Sequence, residues 1–416
     1  MRRLAPIAVG LALCVACREP QGVPEALLMD VNRGGATYEV INLGTLAPGD
    51  PGGGRSVATD INDRGQVVGY SRVHDDLGRV KSHAFLWENG VMTDLRTLDD
   101  ARPDGSNSSA LFINATGEIA GISDVGSTEM HAVLWDDGVI RDLGTLGGRI
   151  SWPRGINNAG QVIGYSTTAT GDVRAFLWQK GAIQDLGTLG GSHSEPSSIN
   201  ARGQTVGWST TATGDTDAFL WENGVMQNLG TLGGKFSVAN SINERGQVSG
   251  EASDAMGVRH AFLWENGVMS DLGTLPGFTA SSGTVVTGTG AVAGVASRAD
   301  GTYHAFYWER GVMQDIGTLG GSQSWVFGAN SRGQVVGGSR TCSAISFTCI
   351  LDTHGYSWEN GTMTDLGGLP GHQQWNSTAV NARGDVVGSS ALHGVDDLRR
   401  AVLWRRTDVG PPPAQP

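Results

Sequence analysis

The sequence predicts an all-β fold, a β-propeller of about eight four-stranded blades, and three observations carry that reading. A block written AFLW, or a close variant, places its tryptophan at Trp87, Trp135, Trp178, Trp221, Trp264, Trp308, Trp358 and Trp404, a step of 43 to 50 residues. Each step holds about four strand-like runs, the grammar of a propeller blade or a solenoid coil. The 416-residue chain also holds 64 glycines. An interior glycine costs a helix about 1 kcal/mol, so this composition fits turns and short strands.

The repeat is clearest from Ser194 to Leu232. Its first run alternates with period two, as in Ser194, Ser197 and Ile199, or Ser56, Ala58 and Ile61. An Asn-x-x-Gly turn follows, for example Asn62 to Gly65 and Asn157 to Gly160. Asparagine bonds the backbone ahead of it and glycine takes the left-handed place, as a type I turn requires. The second strand begins Gln66-Val67-Val68-Gly69. The third, His83 to Trp87, runs into Glu88-Asn89-Gly90, and Asn-Gly between strands is the strongest short hairpin signal. The fourth, Val91 to Leu98, has counterparts that mostly end in Gly-Gly and open the next unit.

Both faces of the third strand are apolar, with Phe85 and Trp87 on one side and Ala84 and Leu86 on the other. Such a sheet must be covered on both sides, which radial stacking of blades provides. Each buried Phe or Trp contributes about 1.5–3 kcal/mol.

The two ends of the repeat region are complementary. Tyr38 to Leu46 reads as a fourth strand lacking its first three, and Arg400 to Trp404 as a third lacking its fourth. Together they make one unit, which predicts a ring closed by an N-terminal outer strand completing the last blade. Second strands after Gly65, Gly117, Gly160, Gly203, Gly246, Gly290, Gly333 and Gly384 give eight blades. The sixth, with Thr287-Gly288-Thr289-Gly290 in its turn, leaves seven open.

The organisation expected is a signal segment at 1–17, a flexible linker at 18–37, the propeller at 38–405 and a disordered tail at 406–416. Arg2 and Arg3 precede a 13-residue apolar run, Leu4 to Ala16, too short for the ~20 residues of a membrane span. Leu13-Cys14-Val15-Ala16-Cys17 resembles a bacterial lipoprotein signal, which implies lipidation of Cys17 and a membrane anchor. Cys14 stands where leucine is usual, so a plain cleaved secretory signal and modification at Cys14 stay open. Cys342 and Cys349 share one loop and in an exported protein read as a disulfide; the alternative is a metal or redox pair. A net charge of −12 argues against nucleic acid, which needs a basic face.

The phrases HAFLWENGVM, DLGTLGG and INxxGQVVG recur in order over residues 38 to 404 and resemble the HAF-repeat extracellular proteins of bacteria. The order of strands is similar to that of WD-repeat propellers in pattern, not in words. The resemblance implies an exported repeat protein and transfers no catalytic residue.

Residues that recur in most copies read as architecture. Asp94, Asp142, Asp185, Asp271, Asp315 and Asp365 are too many for a catalytic carboxylate and read as bracing. His83, His131, His260, His304 and His354 are replaced elsewhere by Arg174, Asp217 and Arg400, and arginine cannot ligate a metal. Asp215, Asp254 and Asp300 invite calcium, but one or two carboxylates per loop fall short of its six or more oxygens. No cofactor and no metal is expected. Asp75, Asp76, Glu195 and Glu251 are the acidic residues that stand apart from the repeat.

Residues that break the pattern gather where the second–third loops and the Gly-Gly connections meet. They are the insertions Arg72 to Ser82 and Arg340 to Thr353, with Trp152, Trp208, Trp325, Trp375, Tyr70 and Tyr165. Aromatics rimmed by polar loops suit sugars or extended peptides, and loops on a rigid scaffold concentrate binding residues. The function expected is therefore an exported, monomeric, non-enzymatic scaffold that binds a glycan, cell-wall component or protein through these six residues. The alternatives are a polysaccharide hydrolase or lyase, a purely structural envelope protein, or aromatics that only pack between blades.

Overall fold

The computed structural model describes residues 35–47, 54–75, 78–99, 106–342, 353–392 and 395–408, with the two-residue strand Leu27–Leu28. Every regular element among the described residues is a strand. Within each unit, consecutive strands pair antiparallel in chain order. The first unit is Ser56–Ile61, Val67–His74, Val80–Glu88 and Val91–Arg96. The third is Gly147–Ile156, Val162–Thr168, Val173–Gln179 and Ala182–Asp185. The sixth keeps the same plan despite its altered turn, from Ala280–Val286 to Val312–Gly317.

The last unit draws on both ends of the chain. Gln374–Val380, Val386–Leu392 and Val395–Arg406 pair in order, and Tyr38–Asn42 lies antiparallel outside them with Val40 opposite Trp404. Leu27–Leu28, inside the stretch read as a linker, adds a further short strand on Val40 and Glu39. At the other end Thr407 N donates to Thr37 O.

Local chemistry explains the hairpins. Asn89 (φ 52°) and Gly90 (φ 83°) both lie in the left-handed region, the type I′ geometry that matches strand twist. Opposite the first strand, Gly164 has no alternative. A Cβ there would collide with the Trp152 carbonyl oxygen and lie 2.7 Å from the Phe176 ring. Each first strand also carries a register shift, as between Pro153 and Gly155, a bulge that turns the extra residue out of the ladder.

Burial is divided among small clusters shared by neighbouring sheets. Leu134, Leu143, Val162, Phe176 and Trp178 join the second and third units. Ile41, Ile61, Phe85, Trp87, Val387 and Leu403 join the first and last. Buried serines stitch the same seams. Ser151 Oγ accepts from Ala132 N (2.8 Å) and donates to Gly144 O (2.6 Å). Ser56 Oγ does likewise with Ala401 N (2.9 Å) and Gly44 O (2.6 Å).

Candidate functional site

Alternating strand direction gives the molecule two ends. One carries the Asn-x-x-Gly and Asn-Gly turns; the other carries the second–third loops and the connections between units.

The turn end is uniform. Asn157 Oδ1 accepts from the backbone of Ala159 (3.0 Å) and Gln161 (3.1 Å), while its Nδ2 donates to Gln161 Oε1 (2.6 Å) and to Asn200 O in the next unit (3.0 Å). The same inter-unit bond runs from Asn62 to Asn114, Asn114 to Asn157, Asn200 to Asn243, Asn243 to Thr287, Asn330 to Asn381 and Asn381 to Asn62. Thr287 has no amide to pass the series on. An asparagine expected only to form a turn is thus also the tie between units.

The recurrent Asp and His residues pair with each other. His83 Nδ1 lies 2.9 Å from Asp94, and His131, His260, His304 and His354 meet Asp142, Asp271, Asp315 and Asp365 in the same way. The second carboxylate oxygen accepts a backbone N–H two residues on, as from Gly144 to Asp142 (2.7 Å). Burial would raise the Asp94 carboxyl, but the His83 and Arg96 hydrogen bonds outweigh it and hold it below its usual range.

The loop end is varied. Tyr70, Tyr165 and Trp208 occupy one slot on the second strands of the first, third and fourth units, opposite Val57, Trp152 and Glu195, and the second unit carries Ile122 there. Trp325 and Trp375 lie on first strands opposite Gly338 and Ser390. The six aromatics are spread over the first, third, fourth, seventh and eighth units, and only Trp152 and Tyr165 face each other in register. Most are already packed. His193 stacks on Trp208 (4.6 Å, 10°) and Arg154 lies over Tyr165 (5.2 Å). Trp375 stacks on His354 (3.6 Å) and bonds Asp365 through Nε1 (2.9 Å). Trp325 is flanked by Tyr303 and Phe327.

The acidic candidates are engaged too. Glu195 meets His193 (3.1 Å) and Arg154 (3.2 Å), Glu251 meets Arg259 (3.2 Å), and Asp75 meets Arg79 (2.6 Å). Burial raises the Glu251 carboxyl against the pull of Arg259. Asp76 lies outside the described residues. Cys342 is disulfide-bonded; Cys349, Cys17 and Cys14 lie outside the described residues.

Sequence reasoning passed over Asp60. Its oxygens accept from Ile61 N (2.8 Å) and, across the seam, Ile113 N (3.0 Å). Burial pushes its carboxyl up to about 6 despite those two N–H groups. A signal existed, because the same place holds Phe112, Gly155, Ser198, Ser241, Val285, Gly328 and Ala379 in the other units. Also passed over was the groove between the first two units, lined by Tyr70, Ser82, Ser109, Ile122, Asp124 and Met130.

These features define a β-sheet repeat protein of propeller type, its units tied at one end and varied at the other. No family model and no curated protein matches the chain. Among solved structures it is similar to one of two prolyl endopeptidases, with 13% identity, a TM-score of 0.51, and coverage of 80% of this chain and 54% of that one. It thus spans about half of that protein. It is also similar to the β-propeller domain of the Trilobed protease from Pyrococcus furiosus, with 12% identity, a TM-score of 0.49, and coverage of 76% of this chain and 99% of that one. An oligogalacturonate lyase from Vibrio parahaemolyticus gives 11% identity, a TM-score of 0.48, and coverage of 91% and 96%. At these identities the likeness concerns the fold alone.

Proposed function

We propose that the chain is a closed ring of eight four-stranded blades, exported and anchored through Cys17, whose loop end binds a glycan, cell-wall component or protein. Closure is supported by the pairing of Tyr38–Asn42 with Val395–Arg406 and by the bond from Asn381 to Asn62 O. The observation that carries the binding reading is the contrast between the ends. Identical asparagine ties recur at the turn end, while the aromatic and charged residues that differ from unit to unit collect at the loop end. Architecture needs the first kind of residue in every copy; recognition needs the second in particular places.

The test is retention of the full chain on an array of glycans, cell-wall fragments and surface proteins. Binding is expected and should weaken on Trp208→Ala, while Arg332→Ala, at the turn end, should leave it intact. Binding that follows Arg332 and ignores the loop end would overturn this reading. So would new reducing ends or unsaturated products from a polysaccharide panel.

A further inference from the structure

We propose that the groove between the first and second units is a binding site for one uncharged pyranose ring. This rests on the glycan reading of the loop end and gives it a place and a ligand class. The groove encloses about 310 Å³, the small end of the range for ligand pockets.

Three observations lead there. First, Tyr70 stands in the same second-strand slot as Tyr165 and Trp208. Arg154 covers Tyr165 and His193 covers Trp208, whereas among the described residues no ring or guanidinium lies over Tyr70. One aromatic face of the series is therefore left open. With Ile122 and Met130 beside it, it offers the apolar patch that the C–H face of a sugar stacks upon.

Second, the rim holds polar atoms that the fold does not use. Tyr70 OH, the Ser82 and Ser109 hydroxyls and Asp124 Oδ1 have no protein partner among the described residues. Ser108 and Ser123, which also line the groove, are spent on seam bonds to Ala84, Arg96 and Leu98. Unspent hydroxyls and a carboxylate oxygen around an open aromatic match a ligand that offers hydroxyls of both donor and acceptor character.

Third, the carboxylate is held in place. Asp124 Oδ2 accepts from Asn107 N (3.0 Å) and Asn107 Nδ2 (2.8 Å), and Asn107 Oδ1 accepts from Ser82 N across the seam (3.1 Å). Equivalent positions in the third and fourth units carry Ile150 with Thr167 and His193 with Thr210, so this arrangement belongs to the first seam. With Oδ2 so engaged, Oδ1 remains an acceptor on a residue that lines the groove. No Lys or Arg lines it. A hydroxyl is welcome beside an uncompensated carboxylate, whereas a uronate is repelled.

The experiment titrates the full chain with the methyl glycosides of glucose, galactose, mannose and N-acetylglucosamine, and with methyl glucuronide, by ligand-observed NMR. At least one neutral glycoside is expected to bind with a dissociation constant of about 1 mM, as suits a single ring, and the uronate at least about tenfold more weakly. Tyr70→Ala, which removes the platform, and Ser109→Leu, which fills the groove without touching the seam bonds, should each weaken binding by about tenfold. Asp124→Asn should narrow the gap between neutral sugar and uronate. If array glycans bind the parent, Tyr70→Ala and Ser109→Leu alike, the groove is not the site although the glycan reading stands. If the parent binds neither methyl glycosides nor array glycans, the glycan reading itself falls and takes the groove with it.

Discussion

The turn end and the loop end are built from the same strands, yet they treat repetition in opposite ways. At the turn end each asparagine reaches one unit onward, and the bond recurs with little change in length, as in Asn157 to Asn200 (3.0 Å) and Asn381 to Asn62 (3.2 Å). At the loop end the equivalent slot holds Tyr70, Tyr165, Trp208 and Glu251. A tie that recurs at seven seams keeps one geometry, and it is interrupted only where Thr287 replaces the asparagine. A loop-end contact can vary, because each one fits only its own pair of units, as Trp325 does with Tyr303 and Trp375 with His354.

The bond between the chain's two ends offers the strongest way to break this comparison. Deleting Tyr38 through Leu46 removes the buried Val40 and Ile41. It also takes away the Tyr38 hydroxyl that joins Ser357 (2.9 Å) and Gln334 (2.9 Å). The expected outcome is loss of cooperative unfolding, or a midpoint lower by more than about 10 °C, in thermal melts followed by circular dichroism. A deletion that melts like the parent would show that the two ends do not complete each other.

A single tie comes next. Asn157→Ala leaves two turn N–H groups without their acceptor and takes the inter-unit donor from the Asn200 carbonyl, which keeps only Gly203 N (3.0 Å), and should cost about 1–2 kcal/mol in urea unfolding. A cost near zero would reduce the asparagine series to decoration.

Asp60 sharpens the comparison through pH, because it places an ionisable group on a seam where Ser198 and Ser241 do a similar bridging job. Its folded pKa of about 6 exceeds the ordinary 3.8, so the folded state binds the proton more tightly. Its contribution to stability is therefore full below about pH 4 and is lost as pH rises through about 6. Asp60→Ser should flatten the stability curve across that window and raise stability at pH 7 by at most about 3 kcal/mol. Denaturant midpoints measured from pH 4 to 7 decide it, and an unchanged slope would mean that Asp60 is not the group responsible.

The smallest effect lies in the sixth unit, where the series of ties is interrupted. Thr287→Asn offers the Asn330 carbonyl, which already accepts from Gly333 N (3.1 Å), the second, inter-unit donor that the other ties supply, and should add about 0.5–1 kcal/mol. No gain would imply that the seam there is set too far apart for the bond.

Much of the scaffold was legible in the sequence. Asn89-Gly90 announced a type I′ hairpin because both residues tolerate positive φ, and Lys180 and Arg310 adopt the same conformation (φ 51° each) without announcing it. The pairing of His83 with Asp94 was half legible: both series were visible and the bracing role of the aspartates was expected, but their mutual bond was not. The aromatic residues were visible as breaks in the repeat, yet nothing in their spacing distinguished Trp208, covered by His193, from Tyr70, left open. Asp60 was passed over because an acidic residue on a polar-looking run gives no hint of burial until the next unit lies against it.

The sequence by itself determined the strands, their turns and their order, because each depends on residues within a few positions of one another and is written out afresh in every copy. The tertiary structure alone decided which polar atoms are spent between units, which aromatic faces remain open and which carboxylate loses its water. Those outcomes depend on residues about forty positions apart meeting side by side, and a period that repeats every chemical choice cannot say which neighbour a given side chain will meet.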